Sequence, residues 1–416
     1  MRIAFFVDQF PSLSETFILN QITGLIDRGH EVDIYCDRQG NTVQMHPEVA
    51  AYHLLDRTYY TLIPTNKIWR YLKGIFLFLF NFYKAPRLIL NSLNVSQQTR
   101  TRYGELADWF KPLYLVLPLL SKPAYDIVHC HYGRNGLKAI LLKDLGVIDS
   151  KIVTVFHGYD ISLYLLMFGE DVYDYLFKRA DLLQPISHLW LKRLIALGCS
   201  REKVAVHHMG IDCRKFTPTT KQNSSQQQIT IVSVARLVEK KGLSYAISAV
   251  AQVLTNYSQL RLQYHIIGDG VLREELEQQI KDLQVARQVK LLGWKDRSEV
   301  QALIARADLV LAPSITSSIG DCEGIPVSLM ETMAQAIPVV STNHSGIPEL
   351  VEDGVTGYLV PEKDITALAG KLKHLIDNPS LRQQMGRAGR DKVLKDYNIE
   401  LLCDRLVQTY QQLISP

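Results

Sequence analysis

The chain has 416 residues, of which 47% are hydrophobic and 21% charged, and these proportions are typical of a folded globular protein. They argue against a disordered, collagenous or coiled-coil chain, and the length favours two domains. The net charge of +4 is too small to indicate a nucleic-acid partner, and we expect none.

The cysteines and the first residues favour the cytoplasm. Six cysteines lie far apart without a Cys-x-x-Cys pair, so we expect neither a disulfide framework nor a structural zinc site. The apolar run 3–7 is too short for a signal peptide, and a polar pair follows it at once. No stretch of 18 or more apolar residues predicts a membrane-spanning helix.

Short apolar runs alternate with longer amphipathic stretches along the first half of the chain. Apolar runs without in–out alternation are typical of parallel strands that are covered on both faces. The predicted strands are 3–7, 32–36, 127–129, 152–156 and 204–207, and the predicted helices are 17–27, 137–145 and 189–197. This alternation predicts an α/β fold with a doubly wound sheet.

Residues 66–104 interrupt the alternation. They include seven Lys or Arg residues, no Asp or Glu, Trp69, Tyr71 and the apolar run 75–80. Two interpretations stay open. The segment either lies in the interface of an anionic membrane, which would place the protein on the inner face of the plasma membrane, or forms a long core helix with a solvated basic edge.

A polar stretch, 217–228, separates the two halves of the chain. The second half repeats the alternation of strands and helices. Its predicted strands are 229–234, 264–267, 289–292, 309–312 and 339–341. We therefore predict a first domain at 1–216, a linker at 217–228 and a second domain at 229–397.

In the first half, two sets of polar residues follow predicted strands. Ser12 to Glu15 fit a capping box ahead of a helix that continues through Phe17. Such a helix start can bind an anionic or polyhydroxy ligand, and structural capping explains the same residues equally well. His157 follows a strand and precedes Gly158, so a catalytic and a structural role are both open.

Arg236 and Lys241 follow the predicted strand 229–234. Cations just beyond the carboxyl end of a parallel strand face the ligand crevice of an open sheet. Two such charges suit a diphosphate, and they stabilise it most when it departs with extra charge. The alternative is a surface cluster with Glu239, and we expect Lys240 at the surface.

The densest candidate site follows the predicted strand 309–312. Glu323 lies in the loop before a helix that Pro326 can begin, and Glu331 lies within that helix. Eight residues do not return to the same helical face, so the two carboxylates would contact different parts of a ligand. N–H groups at the helix start can donate to an oxygen-rich ligand, and Glu331 can accept from a diol such as ribose. Alternatively, both glutamates only complement the helix dipole or are solvated.

Other motifs exclude several classes of enzyme. His129 and His131 have the spacing of metal ligands, but no further ligand cluster accompanies them, and we expect no bound metal. Gly268 opens a loop after a strand, but Arg273 breaks the dinucleotide-binding pattern. The absence of a Walker loop and of a nucleophile elbow further weakens dehydrogenase, kinase and serine-hydrolase interpretations.

Several motifs occur in a specific order along the second half. They are Arg236-Leu237 with Lys241-Gly242, Gly268-Asp269-Gly270, the glutamates at 323 and 331, and Gly346-Ile347-Pro348-Glu349-Leu350. This ordered set resembles the family-4 retaining glycosyltransferases. Residues 11–17 and 320–326 are similar to the branch of that family that serves colanic-acid and other exopolysaccharide synthesis.

The resemblance implies a GT-B fold, with two Rossmann-like domains facing a cleft and the last helix, 398–416, packing back on the first domain. It implies transfer of a hexose from a UDP- or GDP-sugar to a polysaccharide or lipid-linked oligosaccharide of the cell envelope. Anomeric configuration would be retained, and neither a cofactor nor a metal would be needed.

The resemblance also implies roles for single residues. Arg236 and Lys241 would hold the donor diphosphate, Glu331 the ribose, and His157 would lie beside the transferred sugar. That sugar would also contact Glu323 and the backbone of Gly324, Ile325, Pro326, Val327 and Ser328. The expected residues on the acceptor side are Ser12, Glu15, Thr16 and Asp160.

Two other kinds of protein stay open. A nucleotide-sugar epimerase or hydrolase on the same fold would turn over the donor without an acceptor. A non-catalytic assembly partner would keep the fold alone, but such a protein has no need of Arg236, Lys241, Glu323 and Glu331 together.

Overall fold

The computed structural model describes residues 1–93, 99, 102–108, 110–218, 228–255, 257 and 261–415. The chain divides into two compact units. The first unit consists of Met1–Ile186, Trp190–His207 and Cys403–Pro416, and the second of Ser187–Leu189 and His208–Leu402.

The first unit is built on a six-stranded parallel sheet. Its strands are β1 (Arg2–Phe10), β2 (Glu31–Gln39), β3 (Thr58–Tyr60), β4 (Ile127–His131), β5 (Lys151–Phe156) and β6 (Leu182–Pro185). They are ordered β3-β2-β1-β4-β5-β6, and every neighbouring pair is parallel. Every side chain of β4 is buried, which requires cover on both faces of the sheet and explains the continuous apolar run in the sequence.

Helices connect these strands. They are α1 (Thr16–Asp27), α2 (Pro47–Ala51), α3 (Lys67–Asn81), α4 (Pro86–Leu93), α5 (Lys111–Val116), α6 (Gly133–Asp144), α7 (Leu163–Phe168), α8 (Asp174–Arg179) and α9 (His188–Ala196). Helices α3 and α4 occupy part of the basic segment 66–104. Since α3 exposes most of its apolar side chains, the interpretation as a core helix is wrong. Residues 94–98, 100 and 101 of that segment lie outside the described residues.

The second unit repeats the same sheet. Its strands are β7 (Gln228–Val234), β8 (Arg261–Ile267), β9 (Val289–Gly293), β10 (Leu309–Ala312), β11 (Val339–Thr342) and β12 (Gly357–Val360). They are ordered β12-β11-β10-β7-β8-β9, so both units have the strand order of a doubly wound fold. Ile231 belongs to one core cluster and Val232 to another, and successive strand residues point to opposite faces. Each face of this sheet therefore has its own core.

The helices of the second half follow the same alternation. They are α10 (Leu243–Thr255), α11 (Arg273–Asp282), α12 (Arg297–Arg306), α13 (Val327–Ala334), α14 (Ile347–Leu350), α15 (Ile365–Asp377), α16 (Pro379–Asp396) and α17 (Ile399–Ile414). The last helix enters the first unit at Cys403. There Tyr410 hydrogen-bonds His129 Nδ1 at 2.7 Å, and Asp404 pairs with Arg28 at 2.7 Å.

The structure differs from the sequence-based boundaries in two places. Residues 208–216, which we assigned to the first domain, belong to the second unit because Ile211, Cys213 and Phe216 pack in one of its cores. Residues 204–207 are not a strand and make a single parallel bridge, between Leu183 and Val204, beside β6. Of the predicted linker, residues 219–227 lie outside the described residues.

No helix within the described ranges has both the length and the apolarity that a bilayer-crossing segment requires.

Candidate active site

The candidate site of the second unit lies where the strand order of its parallel sheet reverses. β7 and β10 are neighbours at the centre of the sheet, and the chain continues from them toward opposite edges. In doubly wound sheets, ligands bind at this switch point, beyond the carboxyl ends of the strands. The loops after β7 and β10 line a small depression, to which Lys241, Pro326 and Ser328 contribute.

Glu323 is buried in the loop that precedes α13 and pairs with two lysines. Its Oε2 lies 2.9 Å from Nζ of Lys241, and its Oε1 lies 3.7 Å from Nζ of Lys240. Burial by itself would raise the pKa of this carboxyl, but the two ammonium groups hold it below its ordinary value. Glu323 is therefore ionised inside the site, and it fixes the position of Lys241.

Lys240 corrects the sequence-based expectation of a surface residue. Its side chain is only 11% exposed, and its ammonium group also lies 2.9 Å from Asp321. The turn Glu239–Lys241 directs both lysines toward the loop after β10. Lys240 and Lys241 are adjacent and identical in type, and only their tertiary partners distinguish them. The sequence therefore could not indicate that Lys240 pairs inside the site.

His344 and Glu362 hold the backbone of the same loop, and sequence reasoning missed both. The N–H of Glu323 donates to Nε2 of His344 at 3.0 Å, and Nδ1 of His344 lies 2.6 Å from Glu362. Because Nε2 accepts, Nδ1 carries the proton and donates to the carboxylate. The N–H of Thr316 also donates to Glu362, at 2.8 Å. A usable signal for His344 was its place directly after β11.

A second carboxylate fixes the loop from the side of β7. Glu239 accepts from the N–H of Ser318 at 2.9 Å and from its hydroxyl at 2.7 Å. These hydrogen bonds lower the pKa of Glu239. The loop after β10 is thus held by residues from the ends of three strands, which orders the site without a ligand.

The start of α13 presents backbone donors. Pro326 is its N-cap, and the first N–H groups with an intrahelical acceptor are those of Leu329 and Met330, which donate to the Pro326 carbonyl at 3.1 and 3.4 Å. Four earlier N–H groups have no acceptor within the part of the chain that the structure describes: those of Gly324, Ile325, Val327 and Ser328. Together with the helix dipole, such donors form a binding site for an anion or a polar oxygen.

Arg236 follows β7 directly and offers a free cation. Its side chain is exposed, and among the described residues it has no hydrogen bond or ion pair. The loop after β8 packs against the backbone beside it, where a Cβ on Gly268 would lie 2.0 Å from the carbonyl oxygen of Ala235. Gly268 also has a φ of +133°, so the glycine is required twice over. This close approach accounts for the first glycine of the Gly-Asp-Gly motif.

Glu331 lies in α13 and is buried enough to change its titration. Burial raises the pKa of its carboxyl to about 7, and Arg297 opposes the shift. No hydrogen-bond partner of this carboxylate occurs within the described ranges. Near neutral pH the group can therefore accept a hydrogen bond from a ligand hydroxyl when it is ionised.

In the first unit, His157 and Asp160 share the loop after β5. Nε2 of His157 lies 2.9 Å from Nδ1 of His131, and burial lowers the pKa of His157 to about 3, so its imidazole is neutral. The carboxylate of Asp160 accepts from three backbone N–H groups, those of Gly133, His157 and Gly158, at 2.9 to 3.1 Å. Asp160 thus braces the loop that carries His157, and its contact with an acceptor stays a prediction.

The turn after β1 does not form the predicted capping box. Helix α1 begins at Thr16, and no side chain caps it. Glu15 instead accepts from the hydroxyl of Tyr132 at 2.8 Å, while Oγ of Ser12 lies 3.4 Å from Oγ of Ser14. A distant tyrosine therefore outcompetes the local cap, and burial raises the pKa of Glu15 against the effect of that hydrogen bond. Ser12 and Glu15 do line a small depression beyond β1.

One group of side chains has the composition of a metal site. The ligand atoms of His188, His208 and Glu349 lie within 4.8 Å of one another, and Nδ1 of His188 lies 2.9 Å from Glu349. The hydrogen bond between His188 and Glu349 is a sufficient reason for the proximity of these two side chains. The expectation of no bound metal stays a prediction.

The structure brings the predicted donor residues together in the second unit. Arg236 and Lys241 lie on one loop, Lys241 contacts Glu323, and Glu331 lies on the helix that follows. His157 and the residues predicted for the acceptor side all belong to the first unit and follow the carboxyl ends of β1 and β5.

Two protein-family models match the two parts of the chain. The model for glycosyl transferases group 1 matches residues 217–392, and the model for a glycosyl transferase 4-like domain matches residues 14–210. WcaL of Salmonella typhimurium, a glycosyltransferase named for colanic acid biosynthesis, is 40% identical over 99% of this chain and 100% of its own length. The amylovoran biosynthesis glycosyltransferase AmsK of Erwinia amylovora is 39% identical with the same coverage.

Solved structures share the fold at lower identity. HepE of Anabaena, in complex with UDP and glucose, superposes with a TM-score of 0.70 at 18% identity and covers 99% of this chain and 100% of its own. Sucrose-phosphate synthase of Thermosynechococcus elongatus gives a TM-score of 0.71 at 17% identity, with 99% of both chains covered. These similarities show the GT-B fold.

Proposed function

The chain belongs to the group 1 glycosyl transferases, and from this premise we propose that it transfers a hexose from a nucleotide-diphosphate sugar to a polysaccharide precursor of the cell envelope. The observation that carries the proposal is the arrangement at the switch point of the second sheet. Lys241 and the first residues of α13 line a small depression there, and Lys241 pairs with the buried, ionised Glu323.

The two cations, Arg236 and Lys241, suit the diphosphate of the donor. The guanidinium of Arg236, which has no partner among the described residues, can bind two phosphate oxygens at once. Lys241 is already ordered by Glu323 and keeps ammonium protons to donate. When the bond between the sugar and the diphosphate breaks, the leaving group gains negative charge, and both cations then stabilise it more strongly than in the bound donor.

Glu323 and the backbone donors suit the transferred sugar. Its carboxylate can accept hydrogen bonds from sugar hydroxyls, and the N–H groups of Gly324, Ile325, Val327 and Ser328 can donate to hydroxyl oxygens. Pro326 has no N–H and supports the site only as the N-cap of α13. We propose that His157 also contacts the transferred sugar. Its neutral imidazole can hydrogen-bond a sugar hydroxyl, but it has no extra proton to donate near neutral pH.

Glu331 suits the ribose of the nucleotide. A pair of ribose hydroxyls can donate to both oxygens of one carboxylate, and this carboxylate has no competing partner among the described residues. The structure of HepE of Anabaena contains UDP, which supports a nucleotide-sugar as donor, and we propose a UDP- or GDP-sugar. The names of WcaL and AmsK support an exopolysaccharide as the product.

We propose that the reaction retains anomeric configuration by attack on the same face and needs neither a metal nor a cofactor. The acceptor would be a lipid-linked oligosaccharide, with Ser12, Glu15, Thr16 and Asp160 on the acceptor side. The protein would accordingly be cytoplasmic and peripheral at the inner face of the plasma membrane.

The test is a screen of UDP- and GDP-sugars by thermal shift, followed by product analysis with cell-envelope lipid extracts. Wild type should be stabilised by one donor and should transfer labelled sugar to lipid, with the product's anomeric configuration read by NMR. A matched control is Lys281→Ala, which removes an exposed lysine of α11. Release of free sugar with no acceptor product under any condition would contradict the proposal.

A further inference from the structure

Helix α3 presents its apolar side chains to solvent. Its buried positions are Arg70 and Gly74, which lie one turn apart on the inward side. The outward side carries eight large apolar side chains, each between 38% and 70% exposed: Ile68, Trp69, Tyr71, Leu72, Ile75, Phe76, Leu79 and Phe80. A helix that packs on a globular core has the reverse arrangement. This apolar face is far larger than the scattered apolar residues that protein surfaces ordinarily show.

The helix is held in place by its inward side. Gly74 lies against the ring of Phe110, where a Cβ would approach within 2.6 Å. The hydroxyl of Tyr114, on α5, donates to the carbonyl of Arg70 at 2.9 Å. Asn66 caps the helix by accepting from two N–H groups of the first turn. Because these contacts lie within the first unit, the apolar face is formed before any partner binds.

The ionisable side chains of residues 57–104 all have positive charge, apart from the tyrosines. The exposed cations are Lys67, Lys73, Lys84 and Arg87, and the chain has no Asp or Glu between residues 56 and 105. Two copies that met through this face would bring like charges together. A surface of phosphates would instead neutralise them, while Trp69 and Tyr83, 66% and 76% exposed, have the amphipathic rings that prefer a membrane interface.

From orientation, attachment and charge, we propose that α3 and residues 82–93 dock on an anionic lipid bilayer. The apolar side chains enter the boundary between headgroups and acyl chains, and the lysines contact lipid phosphates. The 15 residues of α3 span about 22 Å, too short for a crossing of about 30 Å, so the helix lies along the surface. The inference rests on the proposed function, because a docked first unit would meet a lipid-linked acceptor in the membrane.

Flotation with liposomes tests the docking surface without any turnover. Vesicles of phosphatidylcholine with phosphatidylglycerol should carry wild-type protein upward, and pure phosphatidylcholine vesicles should carry much less. The variant L72Q/F76Q/L79Q should lose at least about a hundredfold in partitioning, since three side chains no longer enter the bilayer. The variant K67E/K73E/K84E should lose the preference for the anionic vesicles.

A matched control is V43Q/V271Q/V355Q, which changes three exposed valines elsewhere and should float like wild type. Donor binding, measured by thermal shift, should be equal in all variants. The two measurements test the proposed function and the docking surface separately. If wild type binds no nucleotide-sugar, the proposed function is wrong. If L72Q/F76Q/L79Q floats as wild type does, the docking surface is wrong.

Fluorescence of Trp69 gives an independent measure of depth. Brominated phospholipids should quench the emission of wild type and of Trp294→Phe, and the quenching should fall sharply in Trp69→Phe. Equal quenching in Trp69→Phe and wild type would contradict insertion of α3. A different outcome would identify a second copy of the chain as the partner. In that case wild type would not float with vesicles, and it would form a concentration-dependent dimer that L72Q/F76Q/L79Q abolishes.

Discussion

The two cations of the candidate site have different surroundings, and this difference predicts different consequences of their removal. Arg236→Ala deletes an exposed side chain that has no partner in the described part of the chain, so stability should not change. Lys241→Ala leaves the buried Glu323 with Lys240 at 3.7 Å as its remaining cation and should lower the free energy of unfolding by about 3 kcal/mol. Both should reduce transfer at least about a hundredfold, the effect of losing a positioned charge at a developing anion.

Denaturant unfolding and steady-state transfer, measured on the same preparations, check this pair of variants. Lys281→Ala should change neither quantity. Near-normal turnover in both Arg236→Ala and Lys241→Ala would contradict the assignment of the diphosphate site.

Glu331 predicts that nucleotide affinity depends on pH. With a pKa of about 7, its carboxyl is mostly protonated at pH 6 and mostly ionised at pH 8, and only the ionised form accepts hydrogen bonds from both ribose hydroxyls. Affinity for the nucleoside diphosphate should therefore rise about tenfold over this range, relative to the Glu331→Gln variant. The ratio between the two proteins, from calorimetric titrations, removes the titration of the phosphate itself.

The raised pKa of Glu331 also predicts how the stability of the protein depends on pH. The folded-state pKa of Glu331 lies above its ordinary value, so the contribution of this carboxyl is present below pH 4.5 and lost as the pH rises through about 7. The stability of wild type relative to Glu331→Gln should fall over that window. Parallel curves for the two proteins from pH 5 to 8 would show that Glu331 titrates normally.

At the scale of elements, the loop after β10 depends on residues outside it. Glu362→Ala removes the acceptor for His344 and for Thr316. We expect about a tenfold rise in KM for the donor with a smaller change in kcat, since the loop loses order while the cations remain. The exposed Glu352→Ala serves as control, and an unchanged KM in Glu362→Ala would show that the loop is rigid without this contact.

The close approach of two loops predicts the effect of a single methyl group. Gly268→Ala should destabilise the second unit by about 3 kcal/mol or more, because the backbone has a positive φ and the new Cβ would meet the Ala235 carbonyl. Gly370→Ala, in the open interior of α15, should stabilise it by about 0.5 to 1 kcal/mol. Thermal unfolding distinguishes the two, and tolerance of Gly268→Ala would contradict the close packing.

Strands that form a continuous apolar run could be predicted from the sequence, and short strands interrupted by polar residues, proline or glycine could not. The runs at 3–7 and 309–312 are confirmed as β1 and β10, because strands buried on both faces are rich in apolar residues. Strands β3, β6 and β12 were missed because each is short and includes a polar residue, a proline or a glycine. The capping box failed because its glutamate bonds a tyrosine that lies 117 positions away.

The site shows the same limit. The motifs name Arg236, Lys241, Glu323 and Glu331 as donor residues, and all four lie in the second unit; their roles stay predictions. The motifs could not show that Glu323 pairs with both lysines or that His344 supports it, because these contacts join chain segments 21 and more than 80 residues apart. The family and its GT-B fold, which the motifs implied, are confirmed by relatives that match along the whole chain.

At the scale of the whole molecule, the central claim is that the switch point of the second sheet binds the diphosphate of the donor. The most direct measurement is a crystal structure of the protein with its nucleoside diphosphate. We predict the diphosphate in contact with the guanidinium of Arg236 and the ammonium of Lys241, with the ribose at Glu331. A nucleotide bound elsewhere, with Arg236 still solvated and Lys241 paired only with Glu323, would contradict the claim.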